Sequence, residues 1–428
     1  MVSGFSLRKF CSAAFSFGVI QAAQMVLPFL AFPVLARVLG LESFGVLLYM
    51  LTLSSFLCLF VEWGFLHWGT REIAARRQDI AYCGAVFRAV LDAKFLLAAM
   101  AVLCTGALFP VVPHAMENPL LYMTSVAYGI VWGFNPTWCL QGLGKGLRAA
   151  AVIEACCGVT ALAVTLLFVN GAEHVLIYPL SLLLTKSAGY GWISWRLCRS
   201  LSQGGTPITG HVAAGLHALR GGLWLFVSRG ASAGYTYGVT LMLGALLSAP
   251  HMALLILADK IVKAAVSLAH PVTQALFPEV CALNARSGAE AARLLRFSLA
   301  LTAGTMTLAA TGLAVFAPYV IHVVLGVPNP EAAAVLRAYA PVIPLLGCDF
   351  VLGIQTLVPL KQEKAMTRIH IVTALLAVPT AAAVAWAFSL EGAQYVACAI
   401  EAFVFFSYCH QVRRVMPGLL SFNPVNFR

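Results

Sequence analysis

The chain is 428 residues long, 61% hydrophobic and 10% charged, with a mean hydropathy of +0.88; this balance excludes a soluble multidomain protein and calls for a lipid-embedded one. Its formal net charge of +11 is scattered through short loops, with no basic tail or block, which argues against a nucleic-acid partner and for loop charges that set membrane topology. The 12 cysteines lie almost entirely in apolar runs, Cys156 and Cys157 are adjacent, and no C-x-x-C spacing occurs, so they read as reduced, small, buried apolar residues rather than metal ligands or a disulfide framework.

A bilayer core needs about 20 apolar residues per helix, and unbonded backbone groups in lipid restrict spanning structures to helices and closed barrels. Long unbroken apolar runs select helices, so the expected fold class is an all-α polytopic membrane protein. Arg8 and Lys9 before an apolar run have the look of a signal peptide, but the run continues from Phe10 to Leu35 and is expected to stay as an uncleaved first span. Gly40 and Gly45 are expected to make the turn into a second span, Ser43 to Trp68, which Arg71, Arg76 and Arg77 close. Four more spans follow, over Gly84 to Phe109, Pro119 to Gln141, Ala149 to Val169 and His174 to Arg196.

Residues 198–219 are rich in Gly, Ser, Thr and His, the composition of a linker, and fall near the midpoint. Beyond them the spans are Arg220 to Leu247, Pro250 to Val280, Ala291 to Tyr319, Ala332 to Leu360, Met366 to Leu390 and Gly392 to Val412. The expectation is therefore twelve transmembrane helices: an N-terminal six-helix lobe over 1–197, a cytoplasmic linker over 198–219 and a C-terminal six-helix lobe over 220–428. Two matched halves point to an internal repeat around a central cavity, with substrate and ion sites near the bilayer midplane. Leu39-Gly40 before Ser43 echoes Leu243-Gly244 before Ser248, and Lys145-x-x-Arg148-Ala149 echoes Lys361-x-x-Lys364-Ala365.

Placing both termini in the cytoplasm puts Arg8, Lys9, Arg71, Arg76, Arg77, Lys145, Arg148, Arg199, Arg286, Arg293, Lys361, Lys364, Arg413 and Arg414 on one side. The opposite loops, near Glu42, Glu117, Glu173, Glu331 and Glu391, carry carboxylates, which satisfies the positive-inside rule.

Ionisable groups inside spans are costly and normally face a bundle interior or a wet cavity. Lys186, Arg229, Lys260 and Lys263 lie deep, whereas Arg37 and Arg337 lie nearer the outer face. Cations drawn from spans flanking the linker would line a cleft suited to an anionic solute such as a phosphate or acidic sugar. Pairing is the competing reading: Asp259 with Lys263 and Arg88 with Asp92 both stand at i, i+4. Asp349, Glu401 and Asp259 are the candidates for carrying a coupling H+ or Na+, and Asp349, beside Gly347 and Pro344, is the foremost. Glu62 and Glu154, near the cytoplasmic ends, read as structural partners of cations on other helices.

Prolines recur within spans, and the doublets Pro28/Pro33 and Pro341/Pro344 are the hinge candidates. Trp132, Trp138, Trp192 and Trp195 lie toward span ends and read as interfacial anchors. No nucleotide-binding P-loop, H-E-x-x-H or G-x-S-x-G motif is present, so no cofactor, metal or catalytic residue is expected.

Leu35-Ala36-Arg37, Leu39-Gly40, Phe44-Gly45, Gly64-Phe65 and Thr70-Arg71-Glu72-Ile73-Ala74 resemble the opening signature of polysaccharide exporters and O-antigen-type lipid-linked oligosaccharide flippases. These proteins form a branch of the multidrug, oligosaccharidyl-lipid and polysaccharide exporter superfamily. Trp138 with residues 141–145, Ala258-Asp259-Lys260 and residues 274–278 extend the resemblance into both halves.

The resemblance implies a two-lobed, alternating-access transporter of the bacterial inner membrane. Its implied cargo is a polyprenyl-diphosphate-linked oligosaccharide, moved from the cytoplasmic to the outer leaflet, with polysaccharide polymerase and glycosyltransferases as pathway neighbours. Lys186, Arg229, Lys260, Lys263 and Arg37 are then the expected substrate-facing cations. A cation-coupled multidrug exporter of the same superfamily is the alternative and would favour a carboxylate-lined cavity. A membrane glycosyltransferase or polymerase would need a catalytic cluster in a large outer loop, and the outer loops here are short.

Overall fold

The computed structural model describes residues 7–202, 212–267, 280 and 288–419. The chain divides into two compact units, residues 1–233 and 234–428.

In the first unit, α1 (Leu7–Glu62) is two helices joined at Gly40, whose φ of 74° and ψ of 163° are open to glycine and strained for an L side chain. The rings of Phe32 and Phe44 lie 6.0 Å apart, whereas a straight helix would separate these positions by about 18 Å; the two segments therefore fold back as a hairpin. Gly45, expected to share the turn, instead sits buried in helical backbone, so Gly40 alone makes the reversal.

The second span ends at Glu62 rather than Trp68, because Trp63 (φ 48°) and Gly64 (φ 79°) leave the helical region. A separate amphipathic helix, α2 (Phe65–Ala75), follows and buries Phe65, Trp68 and Ile73. Arg71 is thus helical, not a loop residue. The carboxylate of Asp79 accepts from the Tyr82 N–H at 2.9 Å and caps α3 (Ile80–Leu108).

The predicted fourth span is broken into α4 (Pro119–Gly133) and α5 (Thr137–Leu143). Pro136 supplies no N–H to continue the ladder. Upstream of the break α4 runs very close to α1, for a Cβ on Gly129 would lie 2.6 Å from the Ser54 carbonyl oxygen. Next come α6 (Leu147–Phe168), a short 3-10 turn over Ala172–Leu176, and α7 (Ile177–Leu201). The described ends of the 198–219 stretch are helical: α7 runs to Leu201, and α8 (Val212–Leu246) begins at Val212 and contains the unit boundary. Trp138 is 3% exposed and stacks on Phe87, so it is a core residue and not an interfacial anchor.

In the second unit the remainder of α8 is followed by α9 (Ala249–Ser267), α10 (Gly288–Leu325), α11 (Pro330–Tyr339) and α12 (Val342–Asp349). Pro271, residues 274–278 and Arg286 lie outside the described residues. The predicted tenth span is segmented at Pro341 and then passes into a π-helix over Phe350–Leu357, a geometry that recurs at functional sites. The last helix, α13 (Glu363–Val415), reverses at Ser389 (φ 51°, ψ −137°). Its two limbs meet again where Tyr408 Oη and His370 Nε2 lie 2.7 Å apart, so the helix folds back as a hairpin over the stretches predicted as Met366 to Leu390 and Gly392 to Val412.

Among the described residues, Leu27–Ala75, Arg148–Phe168, Gly288–Leu325, Pro330–Leu357 and Glu363–Val415 are helical stretches long and apolar enough to cross a membrane. Large hydrophobics such as Leu308, Leu375 and Trp386 are exposed on them or beside them. Buried polar groups with exposed apolar faces are what a lipid solvent selects, and the chain is a multi-pass membrane protein. Cys104 and Cys156 belong to that exposed surface, not to the core.

Candidate functional site

The first unit concentrates its buried charge around the α4–α5 break. With Pro136 in the chain and the Thr137 N–H donated to Asn135 Oδ1 at 3.0 Å, the last carbonyls of α4 lose their helical donors. Lys94, from the middle of α3 and 1% exposed, fills that role: its Nζ donates to Gly133 O at 2.7 Å and to Asn135 O at 3.4 Å. The amide of Asn135 turns the other way and donates to Glu154 Oε1 at 3.3 Å.

Glu154, on α6 and 3% exposed, is the centre of the cluster. Lys186 on α7 donates to its Oε2 at 2.8 Å, and the Tyr190 hydroxyl donates to its Oε1. Lys186 also reaches the Tyr190 hydroxyl at 3.0 Å and stands 5.7 Å from the Trp132 ring centroid. A buried pair of this kind persists because several donors and acceptors are satisfied together.

Arg229 on α8 pairs with Glu62 Oε2 at the end of α1. The other oxygen of Glu62 accepts from the Leu66 N–H at 2.7 Å and caps the first turn of α2. Trp63 stacks on Phe226 with ring centroids 3.9 Å apart and donates from Nε1 to Leu219 O at 3.0 Å. The helix break at Trp63 and Gly64 is thus clamped to α8 by one ion pair, one ring stack and one hydrogen bond. Arg37 is exposed, three residues before the Gly40 reversal.

In the second unit Asp259 and Lys263 pair on α9 at 2.7 Å, as their spacing predicts. Both line a pocket with Glu401 of α13, Tyr339 of α11 and Tyr235 of α8. Lys260 is partly buried one residue after Asp259. Asp349 closes α12 immediately before the π-helix, and neither of its carboxylate oxygens has a hydrogen-bond partner among the described residues; the same is true of Glu401 Oε2. Asp349 feels the charge of Glu401, and Glu401 those of Lys263 and Asp259. In the π-helix itself, buried Gln355 accepts from Ser298 Oγ at 2.8 Å.

The structure therefore gives Lys186, Arg229 and Lys263 a carboxylate each and collects Asp259, Lys263 and Glu401 at one pocket. Glu62 and Glu154 take the cation partners expected of them. Arg88 Nε donates to Gly84 O at 3.1 Å. Lys94 and Asn135 were not among the sequence candidates, although Lys94 obeys the rule that selected the others, an ionisable side chain inside a span.

A sequence profile described as polysaccharide biosynthesis protein matches residues 10–284. The protein is 24% identical over 369 residues to a "Putative O-antigen transporter" of Escherichia coli (strain K12), covering 84% of this chain and 86% of that one. A protein of the same name from Shigella dysenteriae is 24% identical over 363 residues, covering 84% and 88%. Among solved structures, an inward-facing multidrug resistance MATE family transporter of the MOP superfamily superposes with a TM-score of 0.72 at 13% identity, covering 96% of this chain and 100% of that one. The lipid II flippase MurJ in an inward closed conformation superposes with a TM-score of 0.69 at 12% identity, covering 92% and 87%. The fold is thus that of these transporters, and with the profile matching well over half of its length the chain belongs to the polysaccharide biosynthesis protein family.

Proposed function

We propose that this protein is a flippase of the bacterial inner membrane, carrying a polyprenyl-diphosphate-linked oligosaccharide from the cytoplasmic to the outer leaflet by alternating access. The observation that carries the reading is the relationship to O-antigen transporters along 84% of the chain, within a family of polysaccharide biosynthesis proteins. In this reading twelve spans form two six-helix lobes, and both termini are cytoplasmic.

The cargo presents a diphosphate and a polar glycan, and the groups offered to it are Arg37 and Arg229 in the first unit and Lys260 and Lys263 in the second; Lys186, held by Glu154 and Tyr190, would reach it only by leaving that buried pair. Arg229 is the best placed, since its side chain keeps 38% of its surface exposed while Glu62 holds it in position. A planar, permanently charged guanidinium suits a diphosphate. Asp349, Glu401 and Asp259 are the groups offered to a coupling H+ or Na+.

The test is export of surface glycan, at matched protein levels, in cells whose own flippase is deleted. Arg229→Ala and Lys186→Ala should each reduce export, with lipid-linked oligosaccharide accumulating in the inner leaflet. Full export by both variants would remove Arg229 and Lys186 from the mechanism, and no export by the unaltered chain for any glycan would remove the flippase reading. The second reading, a cation-coupled multidrug exporter, rests on the unpartnered carboxylates Asp349 and Glu401; it predicts drug resistance without glycan export in the same cells.

A further inference from the structure

The outward face of α7 changes character along its length. Ile193, Leu197 and Leu201 point into the packed core, and the opposite stripe runs from exposed Leu180 and Leu184 through Trp192 and Trp195 to Arg196 and Arg199. The Arg196 guanidinium lies 5.0 Å from the Trp192 ring centroid and that of Arg199 lies 4.6 Å from the Trp195 centroid, one helical turn apart. Neither arginine has a carboxylate partner among the described residues.

From Leu184 to Arg196 the helix rises about 18 Å, close to one leaflet of a hydrocarbon core about 30 Å thick. Aliphatic, then indole, then guanidinium is the order in which a standing phospholipid presents its chains, glycerol region and phosphate. Trp192 and Trp195 are 46% and 54% exposed, respectively, and the guanidinium that stands over each ring is itself exposed, so it is accessible to an oxyanion.

We propose that this stripe of α7 is a binding site for one anionic phospholipid, with Arg196 and Arg199 on the headgroup phosphate and Trp192 and Trp195 against the glycerol region. The site rests on the membrane location of the chain and not on what the protein transports.

The test uses the full chain in phosphatidylcholine vesicles containing a minor fraction of phosphatidylglycerol, with brominated acyl chains on one lipid or the other. Because the chain holds eight tryptophans, the signal of Trp192 and Trp195 is obtained by difference from a Trp192→Phe/Trp195→Phe variant. Brominated phosphatidylglycerol should quench that signal beyond its mole fraction by about fivefold or more, the enrichment expected from at least one arginine at an anionic surface. Arg196→Gln/Arg199→Gln should return quenching to the mole fraction, and Arg196→Lys/Arg199→Lys should fall between. Quenching that follows the mole fraction in the unaltered protein overturns the proposal without any variant having to fold. Inorganic phosphate and chloride compared at equal ionic strength separate lipid from free anion: screening acts equally in both, so an excess that survives in chloride and is lost in phosphate would make the ligand a free anion and overturn the proposal.

Discussion

Lys94 reaches from the middle of α3 to the carbonyl of Gly133 at 2.7 Å and replaces the backbone donor that the α4–α5 break removes. A broken helix in lipid is tolerated only where its freed polar groups find partners, and here the partner is a side chain from another element. Lys94→Met should leave that carbonyl unsatisfied and destabilise the protein by about 1–3 kcal/mol. The check is thermal unfolding in detergent, and an unchanged or raised midpoint would show that the break does not depend on Lys94.

Glu154 and Lys186 are buried together, so removing one partner strands the other. Glu154→Gln should destabilise by about 3–5 kcal/mol, the range for breaking a buried pair, whereas Glu154→Gln combined with Lys186→Met should recover most of the loss. A double-mutant cycle on the unfolding midpoint measures the coupling. Additive effects would mean that the pair seen at 2.8 Å contributes nothing as a pair.

Much of the helical plan was legible because apolar run length and Gly or Pro punctuation act locally. The Gly40 reversal, the hairpin at the end of the chain and the Asp259–Lys263 pair all follow from spacing within one element. The partners of Lys186 and Arg229 were not legible in the same way. Glu154 is 32 residues from Lys186, and Glu62 is 167 from Arg229, so only packing brings them together. The early end of the second span was missed because Trp63 and Phe65 keep the run apolar while Gly64 quietly turns the backbone. Lys94 carries the same in-span charge signal, but Asp92 stands two residues before it, and only packing brings it to the freed carbonyls of Gly133 and Asn135.

The two helical reversals make opposite predictions about glycine. Gly40 has φ 74° and ψ 163°, a region essentially confined to glycine, with nothing within 4 Å of where a Cβ would stand. Gly40→Ala should therefore destabilise by about 1–3 kcal/mol through backbone strain alone, and Gly40→Asn, which relieves only left-handed helical geometry, should not do better. Ser389 holds φ 51° and ψ −137° with an L side chain, so Ser389→Gly should stabilise by relieving strain of about the same size. Unfolding midpoints that move the same way for Gly40→Ala and Ser389→Gly would refute the strain account.

Asp349 poses the remaining problem in electrostatics. Both of its oxygens are buried without a hydrogen-bond partner among the described residues, as is one oxygen of Glu401, and an isolated carboxylate charge in such a place is held at high cost unless a proton or cation accompanies it. If that companion is the coupling ion, transport in proteoliposomes should rise with an imposed proton or sodium gradient, and Asp349→Asn should flatten the dependence while leaving the protein folded. Binding to the native state also raises stability, so the same ion should lift the unfolding midpoint of the unaltered protein and not that of Asp349→Asn. Glu401→Gln should weaken both effects, since Glu401 is the neighbouring charge that acts on Asp349. Gradient dependence that survives intact in Asp349→Asn would assign the companion to the folded state alone and take Asp349 out of the transport cycle.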